Sequence, residues 1–193
     1  NNNNKNKKRA AAKPVDMKTY YNASGGCFHG DCCVLMNDNS LKMIGDICSG
    51  DIIKGGATIK CVVKHKCKDN QIRLCDINGL LITPYHPIKL DNDEWVFPID
   101  VDNGNNKMYS CDYVYNFVLT NNHVMNINGI DCCTLGHGIN ANKVISHKYF
   151  GTDKIIKDLE KVNGWNNGMV TLNQDSFKRN GDTFLVQGMN SKF

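Results

Sequence analysis

The chain of 193 residues has no run of about 18 consecutive apolar residues, the length a bilayer-spanning helix needs, so no membrane span is expected. It also has no Cys-x-x-Cys, although cysteine occurs ten times, at 27, 32, 33, 48, 61, 67, 75, 111, 132 and 133. Zinc sites repeat such close ligand pairs, so no metal or other cofactor is expected. Disulfide scaffolds are shorter and richer in cysteine, and the adjacent pairs Cys32-Cys33 and Cys132-Cys133 suit them poorly. Mostly reduced thiols are expected, which favours the cytoplasm while leaving location otherwise open. An excess of one charge is missing too: 23 Lys and Arg against 19 Asp and Glu give a net charge of +4, with several basic residues in the first thirteen positions. That balance does not argue for nucleic acid. Position 1 is Asn rather than Met and no charged-then-apolar leader follows, so the sequence reads as a fragment or processed chain.

What is present suits one cored domain with appendages: 41% of the residues are hydrophobic, and 27 are Asn, clustered in what read as loops and tails. Residues 1–24 mix a polar tract, a basic run at Lys7-Lys8-Arg9 and small residues, and are read as a linker. From Cys27 to Gly138 short apolar runs alternate with Gly, Asn and Asp, a β pattern. Asn78-Gly79 and Asn128-Gly129 predict two hairpins, Leu74 to Ile77 with Leu80 to Thr83 and Val124 to Ile127 with Ile130 to Cys133. Further strands are predicted at Cys33 to Met36, Asp51 to Lys54, Thr58 to His65, Trp95 to Pro98 and Tyr109 to Leu119, with one helical turn within Ser40 to Ile47. Residues 139–193 form a C-terminal extension. Thr152-Asp153 caps a short helix carrying Ile155, Ile156, Leu159 and Val162, and the last thirty residues read as loosely structured.

Three elements carry chemistry. Gly26-Cys27-Phe28 lies where linker meets β domain, and a thiol at that position can attack the carbonyl immediately upstream. Taken alone, a cysteine beside glycine is more often a small buried residue. Thr83-Pro84-Tyr85-His86 places a hydroxyl and an imidazole three residues apart on a turn, which is also compatible with a plain hydrogen-bonded histidine. The third is the hairpin Asn121-Asn122-His123 to Asn128-Gly129-Ile130, ending in Asp131-Cys132-Cys133-Thr134-Leu135-Gly136-His137-Gly138.

In this order the blocks resemble the Hint (Hedgehog/intein) superfamily of self-processing domains. Gly25-Gly26-Cys27-Phe28-His29-Gly30-Asp31-Cys32, Ile82 to Pro87, Trp95 to Ile99, Thr134 to Gly138 and Tyr149 to Thr152 are similar to its Vint branch, the Hint domains joined to von Willebrand factor A domains. The resemblance covers about residues 25 to 170. It implies an all-β, horseshoe-like fold with pseudo-twofold halves, with residues 25–138 as its core. The implied activity is a single-turnover, intramolecular cleavage of the Gly26–Cys27 bond, in which Cys27 attacks, His86 protonates the departing nitrogen and Thr83 bonds the same amide group. The partner it implies is the protein's own upstream polypeptide, a von Willebrand factor A domain; a monomer is expected.

The resemblance also limits the second step. Inteins finish by cyclising a terminal Asn beside a His, and the matching positions here are Thr134 and Cys133, so splicing is not expected. Hydrolysis of the thioester, or its capture by a small nucleophile, is. His123 matches the intein hairpin histidine, which implies a catalytic role in supporting the second step; an edge-strand histidine with no role is the alternative. Cys132 or Cys133 could act as a second thiol, and His65 lies near the place of an activating Asp in Hedgehog domains, although each also fits a structural role. Asn116 stands where many inteins carry Asp, which questions an acid–base role there. The alternative function is a catalytically silent Hint-fold module serving structure or interaction.

Overall fold

The computed structural model describes residues 25–191; segment 1–24, read as a linker, lies outside the described residues. The chain runs through β1 (Phe28–His29), β2 (Cys33–Leu35), β3 (Leu41–Met43), β4 (Ile59–Lys66), β5 (Gln71–Ile77), β6 (Leu80–Ile82), β7 (Ile88–Lys89) and β8 (Trp95–Val96). A one-turn helix α1 (Pro98–Val101) precedes β9 (Asn106–Ser110), β10 (Tyr113–Leu119), β11 (Val124–Ile127) and β12 (Ile130–Cys133). Helix α2 (Asp153–Leu159), β13 (Met169–Leu172), β14 (Phe177–Arg179) and β15 (Val186–Met189) follow.

The fold is all-β. Seven strands form one sheet in the order β13-β4-β10-β1-β6-β5-β9, six form a second in the order β3-β2-β11-β12-β7-β8, and β14 pairs with β15. Both Asn-Gly dipeptides make the predicted hairpin turns. Asn78 and Gly79 have φ of 53° and 90°, Asn128 and Gly129 50° and 81°, the left-handed pairs that let a two-residue loop follow the twist of its strands. Ile77 therefore faces Leu80, and Ile127 faces Ile130.

Four segments differ from their patterning, the first being Trp95 to Pro98, where β8 ends at Val96 and Pro98, with its fixed φ, opens α1. Asp51 to Lys54 makes only isolated bridges, Met36 with Ile53 and Ile52 with Thr58, because its neighbours turn away after one residue pair. The predicted strand Tyr109 to Leu119 breaks at Cys111-Asp112, where the chain leaves β5 as a partner and takes up β4. The helical turn near Ile44 is a 3-10 turn, Ile44–Asp46, and β3 precedes it.

Beyond Gly138, Thr152 caps α2 as predicted, its side chain accepting from the Lys154 N–H. Ile155 and Leu159 are fully buried, each worth roughly 1.5–3 kcal/mol relative to exposure. The last thirty residues are more ordered than their pattern suggests. β13 adds a parallel strand to β4, with Met169 opposite Val62 and Leu172 opposite His65. Pairing across a hundred residues leaves no local periodicity to read. One core gathers Phe28, Val34, Ile82, Phe117 and Ile127, and a second gathers Val63, Val118, Leu135, Phe150 and Leu159.

Candidate functional site

β1 is two residues long, yet it sits inside the seven-stranded sheet, and its register builds the site. Phe28 pairs with Ile82 of β6 on one side and with Tyr115 of β10 on the other, both antiparallel. One residue back along β1, Cys27 therefore falls level with Thr83 and with Asn116. The Cys27 N–H donates to Thr83 Oγ1 at 2.9 Å, and the Thr83 N–H returns a bond to the Cys27 carbonyl at 3.0 Å. On the other flank Asn116 Nδ2 donates to the Gly26 carbonyl at 2.7 Å, while its Oδ1 accepts from the Phe117 N–H at 2.8 Å. Both sides of the Gly26–Cys27 peptide are thus held, its N–H by Thr83 and its C=O by Asn116.

The glycines before Cys27 are there for space. Gly25 and Gly26 have φ of 77° and 89°, a region that favours glycine. A Cβ on Gly26 would lie 2.5 Å from His86 Cγ and 2.7 Å from its Nδ1, and one on Gly25 would lie 2.5 Å from the Phe150 ring. The backbone entering Cys27 is pressed against the imidazole.

His86 closes a β-turn, its N–H donating to the Thr83 carbonyl at 3.2 Å, with Pro84 fixing φ at the second position. Its Nε2 lies 2.6 Å from the Cys133 carbonyl on β12, and its ring centroid lies 4.3 Å from that of Phe28. A carbonyl only accepts, so Nε2 carries the proton and Nδ1 presents a lone pair. Nδ1 is buried and has no hydrogen-bond partner among the described residues. Burial pushes the His86 pKa down to about 4, partly opposed by the Cys133 carbonyl, so the ring is neutral at pH 7. Cys27, Thr83, His86 and Asn116 are all 1% exposed or less, which keeps water away from these bonds.

The other candidates stand at different distances from this centre. Cys133 enters through its carbonyl, while its side chain packs with Trp95 and Ile145. Cys132 is fully buried in the first core, its thiol donating to the Ile130 carbonyl, and burial raises both thiols far above their ordinary range. His123, at φ 48°, offers its carbonyl to the N–H and hydroxyl of Thr134 at 2.9 and 3.0 Å, and burial lowers its pKa. His65 stacks flat on Phe177, 6.5 Å between centroids, with its pKa pushed down to about 4 by burial. His137 has no role assigned by sequence; its Nδ1 accepts from the Ile139 N–H at 2.9 Å. It lines a cavity of about 410 Å³ that opens beside Gly25 and Cys133 and is walled by Leu135, Ile145 and Phe150. Among the described residues no cluster of His, Cys, Asp and Glu could hold a metal ion.

Asn116 is the residue whose part sequence reasoning missed. The available signal was an amide in the middle of the apolar run Val114 to Leu119, at 1% exposure a buried polar group that needs partners.

A cysteine held level with a threonine and an asparagine on an internal strand, with a buried histidine against the preceding residue, is the setting of a Hint-type autoprocessing domain. A family model described as Vint, Hint-domain, matches residues 26–188, and the chain belongs to that family. Among solved structures it is similar to a bacterial intein-like domain from Clostridium thermocellum, at 17% identity over 56% of this chain and 98% of that one, with a TM-score of 0.45. It is also similar to the gp41-1 intein, at 16% identity over 57% of this chain and 100% of that one, with a TM-score of 0.42. No curated protein matches the chain. No helix among the described residues is long and apolar enough to cross a membrane.

Proposed function

We propose that the domain cleaves its own chain between Gly26 and Cys27 by an N-to-S acyl shift, releasing the upstream part, which we take to be a von Willebrand factor A domain. The observation that carries this reading is the double hold on one peptide group, Thr83 on its N–H and Asn116 on its C=O, with His86 Nδ1 unpartnered beside it.

Because His86 is neutral, it acts first as a base. Its Nδ1 takes the proton of the Cys27 thiol, and the sulfur adds to the Gly26 carbonyl carbon through a five-membered ring. Negative charge then grows on the Gly26 oxygen, where the Asn116 amide already donates. The imidazolium returns the proton to the nitrogen as the C–N bond breaks, leaving a Gly26 thioester on Cys27 and a free α-amine. Thr83 accepts from that N–H throughout, directing the nitrogen's lone pair away from itself. Burial destabilises an imidazolium at this position, so the proton is passed on readily.

The thioester is less stable than the amide and must be drawn off. The cavity lined by Gly25, one residue upstream of the acyl group, is the side from which water or a small nucleophile would approach once the thioester has formed. Attack there breaks the C–S bond, and the Cys27 sulfur leaves as a thiolate that takes up the nucleophile's proton. Cys132, Cys133 and His65 have no step in this scheme, and His123 supports the turn that places Thr134.

The test is the intact mass of the full chain, carrying an upstream reporter, before and after dithiothreitol at neutral pH. Two fragments meeting at Gly26/Cys27 are expected. Cys27→Ala should abolish them, and His86→Ala should slow them by about 10²-fold or more. A single uncleaved mass from a chain with a β circular-dichroism spectrum would instead support a silent Hint module.

A further inference from the structure

Besides the catalytic thiol, the region around Cys27 holds two more. Cys67 follows the last residue of β4, and Cys111 lies between β9 and β10. Lys66 pairs with Tyr113, and the Cys67 N–H donates to the Asp112 carbonyl at 2.8 Å, so the two segments are tied at this point. The thiols face each other with their sulfurs 3.7 Å apart. Cys67 also packs with Cys27 and Val114 in a small apolar cluster, with Ile72 and Cys111 at its border. Three of the ten thiols therefore share one patch, and one of them is the proposed nucleophile.

We propose that Cys67 and Cys111 are a disulfide-forming pair that takes up oxidant in preference to Cys27, leaving the nucleophile as a thiol. A disulfide needs sulfurs about 2.05 Å apart, so an approach of roughly 1.7 Å is required, within reach of side-chain rotation on backbones already joined. Cys111 is the half-buried member, whereas Cys67 is 5% exposed, so an oxidant from solvent meets Cys111 first. Burial pushes Cys67 up to about 12, and its S–H bonded to Cys111 favours the thiolate on Cys111, partly opposing the effect of that residue's own burial.

With hydrogen peroxide as oxidant the atoms balance in two steps. The Cys111 thiolate attacks one peroxide oxygen, giving a sulfenic acid and, after proton uptake, water. The Cys67 sulfur then displaces the hydroxyl, its proton leaving with the second water as the S–S bond forms. Two thiols are oxidised and one peroxide is reduced. Without Cys111 at hand, Cys67 would be the thiol best placed to capture an oxidised Cys27.

That the sparing protects a nucleophile rests on the acyl-shift reading; the pairing itself does not. The experiment uses the full chain with Cys48→Ser, which removes an exposed thiol able to link molecules. The protein is treated with equimolar hydrogen peroxide, quenched, alkylated without reduction, digested and mapped by mass. The expected result is a Cys67–Cys111 cross-link two hydrogens lighter than its parts, with Cys27 alkylated. Hydroxylamine attacks thioesters but leaves disulfides intact, and it should release the upstream part at the same rate before and after peroxide. In a Cys111→Ser variant whose circular dichroism is unchanged, the cross-link should vanish and peroxide should suppress release. Cys27 found oxidised while Cys111 is present, or Cys67 and Cys111 both alkylated, would overturn the proposal. Failure of hydroxylamine to release anything before peroxide would count against the acyl shift alone, since the map still decides the pairing.

Discussion

Replacing Asn116 separates an oxyanion donor from a packing residue. The Asn116 amide touches the Gly26 oxygen at 2.7 Å, where charge would develop in the proposed shift, while its Oδ1 is bonded to the Phe117 N–H. Deleting one preorganised oxyanion donor in other enzymes costs about 10²–10³ in rate, about 2.7–4 kcal/mol, and a buried site at 1% exposure offers no water to replace it. Asn116→Ala should therefore slow release of an upstream reporter by about that factor, followed by intact mass with hydroxylamine in excess. Asn116→Asp keeps the acceptor for Phe117 but turns a second oxygen toward the Gly26 carbonyl. At neutral pH it should be as slow as the alanine variant, because a carboxylate there repels the forming oxyanion. Burial raises a carboxyl pKa, so on mild acidification the Asp becomes a donor and the rate should recover. An Asn116→Ala protein with a native circular-dichroism spectrum and an unchanged rate would refute the assignment, and so would an Asp variant whose rate relative to the wild type is higher at pH 7 than at pH 5.

Gly26→Ala places a Cβ 2.5 Å from His86 Cγ at a φ of 89°; displacing the acyl group by even about 1 Å should cut release by about 10²-fold, measured with the same reporter. Burial holds His65, His86, His137 and His147 near pKa 4, whereas unfolded imidazoles titrate near 6.5. Between those values the unfolded chain binds more protons, so urea midpoints should fall as pH drops from 6.5 toward 4, and the histidines add no pH dependence between about 7 and 8. A midpoint unchanged between pH 7 and 4.5 would show that these rings are not buried neutral. A chain ending at Gly138 tests whether the core at 25–138 folds without the extension. β13 covers the outer edge of β4, and Leu159 and Val170 pack with Val63 and Val118, so the shortened chain is expected to aggregate or lose its near-ultraviolet signal. A cooperative thermal transition from it would show that 25–138 folds without the extension.

Local chemistry made part of this molecule legible. An Asn-Gly pair between apolar runs demands a tight hairpin wherever it falls, and both hairpins lie within a residue of their predicted ends. The α2 helix was readable from its cap and from Ile155 and Leu159 one turn apart. What depends on distant pairing was not. The break at Cys111-Asp112 has no strong turn signal, since it arises because β9 and β10 serve different neighbours. β13 looks aimless in sequence because its partner lies on β4. The same division runs through the site. Cys27, Thr83 and His86 were named from short motifs, while Asn116 acts only because β1 brings residue 27 level with residue 116, a fact of register. Comparing it with an acid pointed to proton transfer, whereas its geometry concerns hydrogen-bond donation.

β1 lies in the interior of its sheet, and this gives the site a clock. Thr83 is 56 positions after Cys27, and Asn116 is 90 positions after Gly26. The carbonyl that sets the His86 tautomer belongs to Cys133, 47 positions further along than His86 itself. A ribosome adding about 5–20 residues per second would need some seconds after making the nucleophile before its last partner existed. Until then the two-residue strand has no flanks to lie between, and Cys27 is an ordinary thiol on a nascent chain. On the acyl-shift reading, whatever precedes Gly25 is thus synthesised before the residues that hold the Gly26–Cys27 peptide are in place.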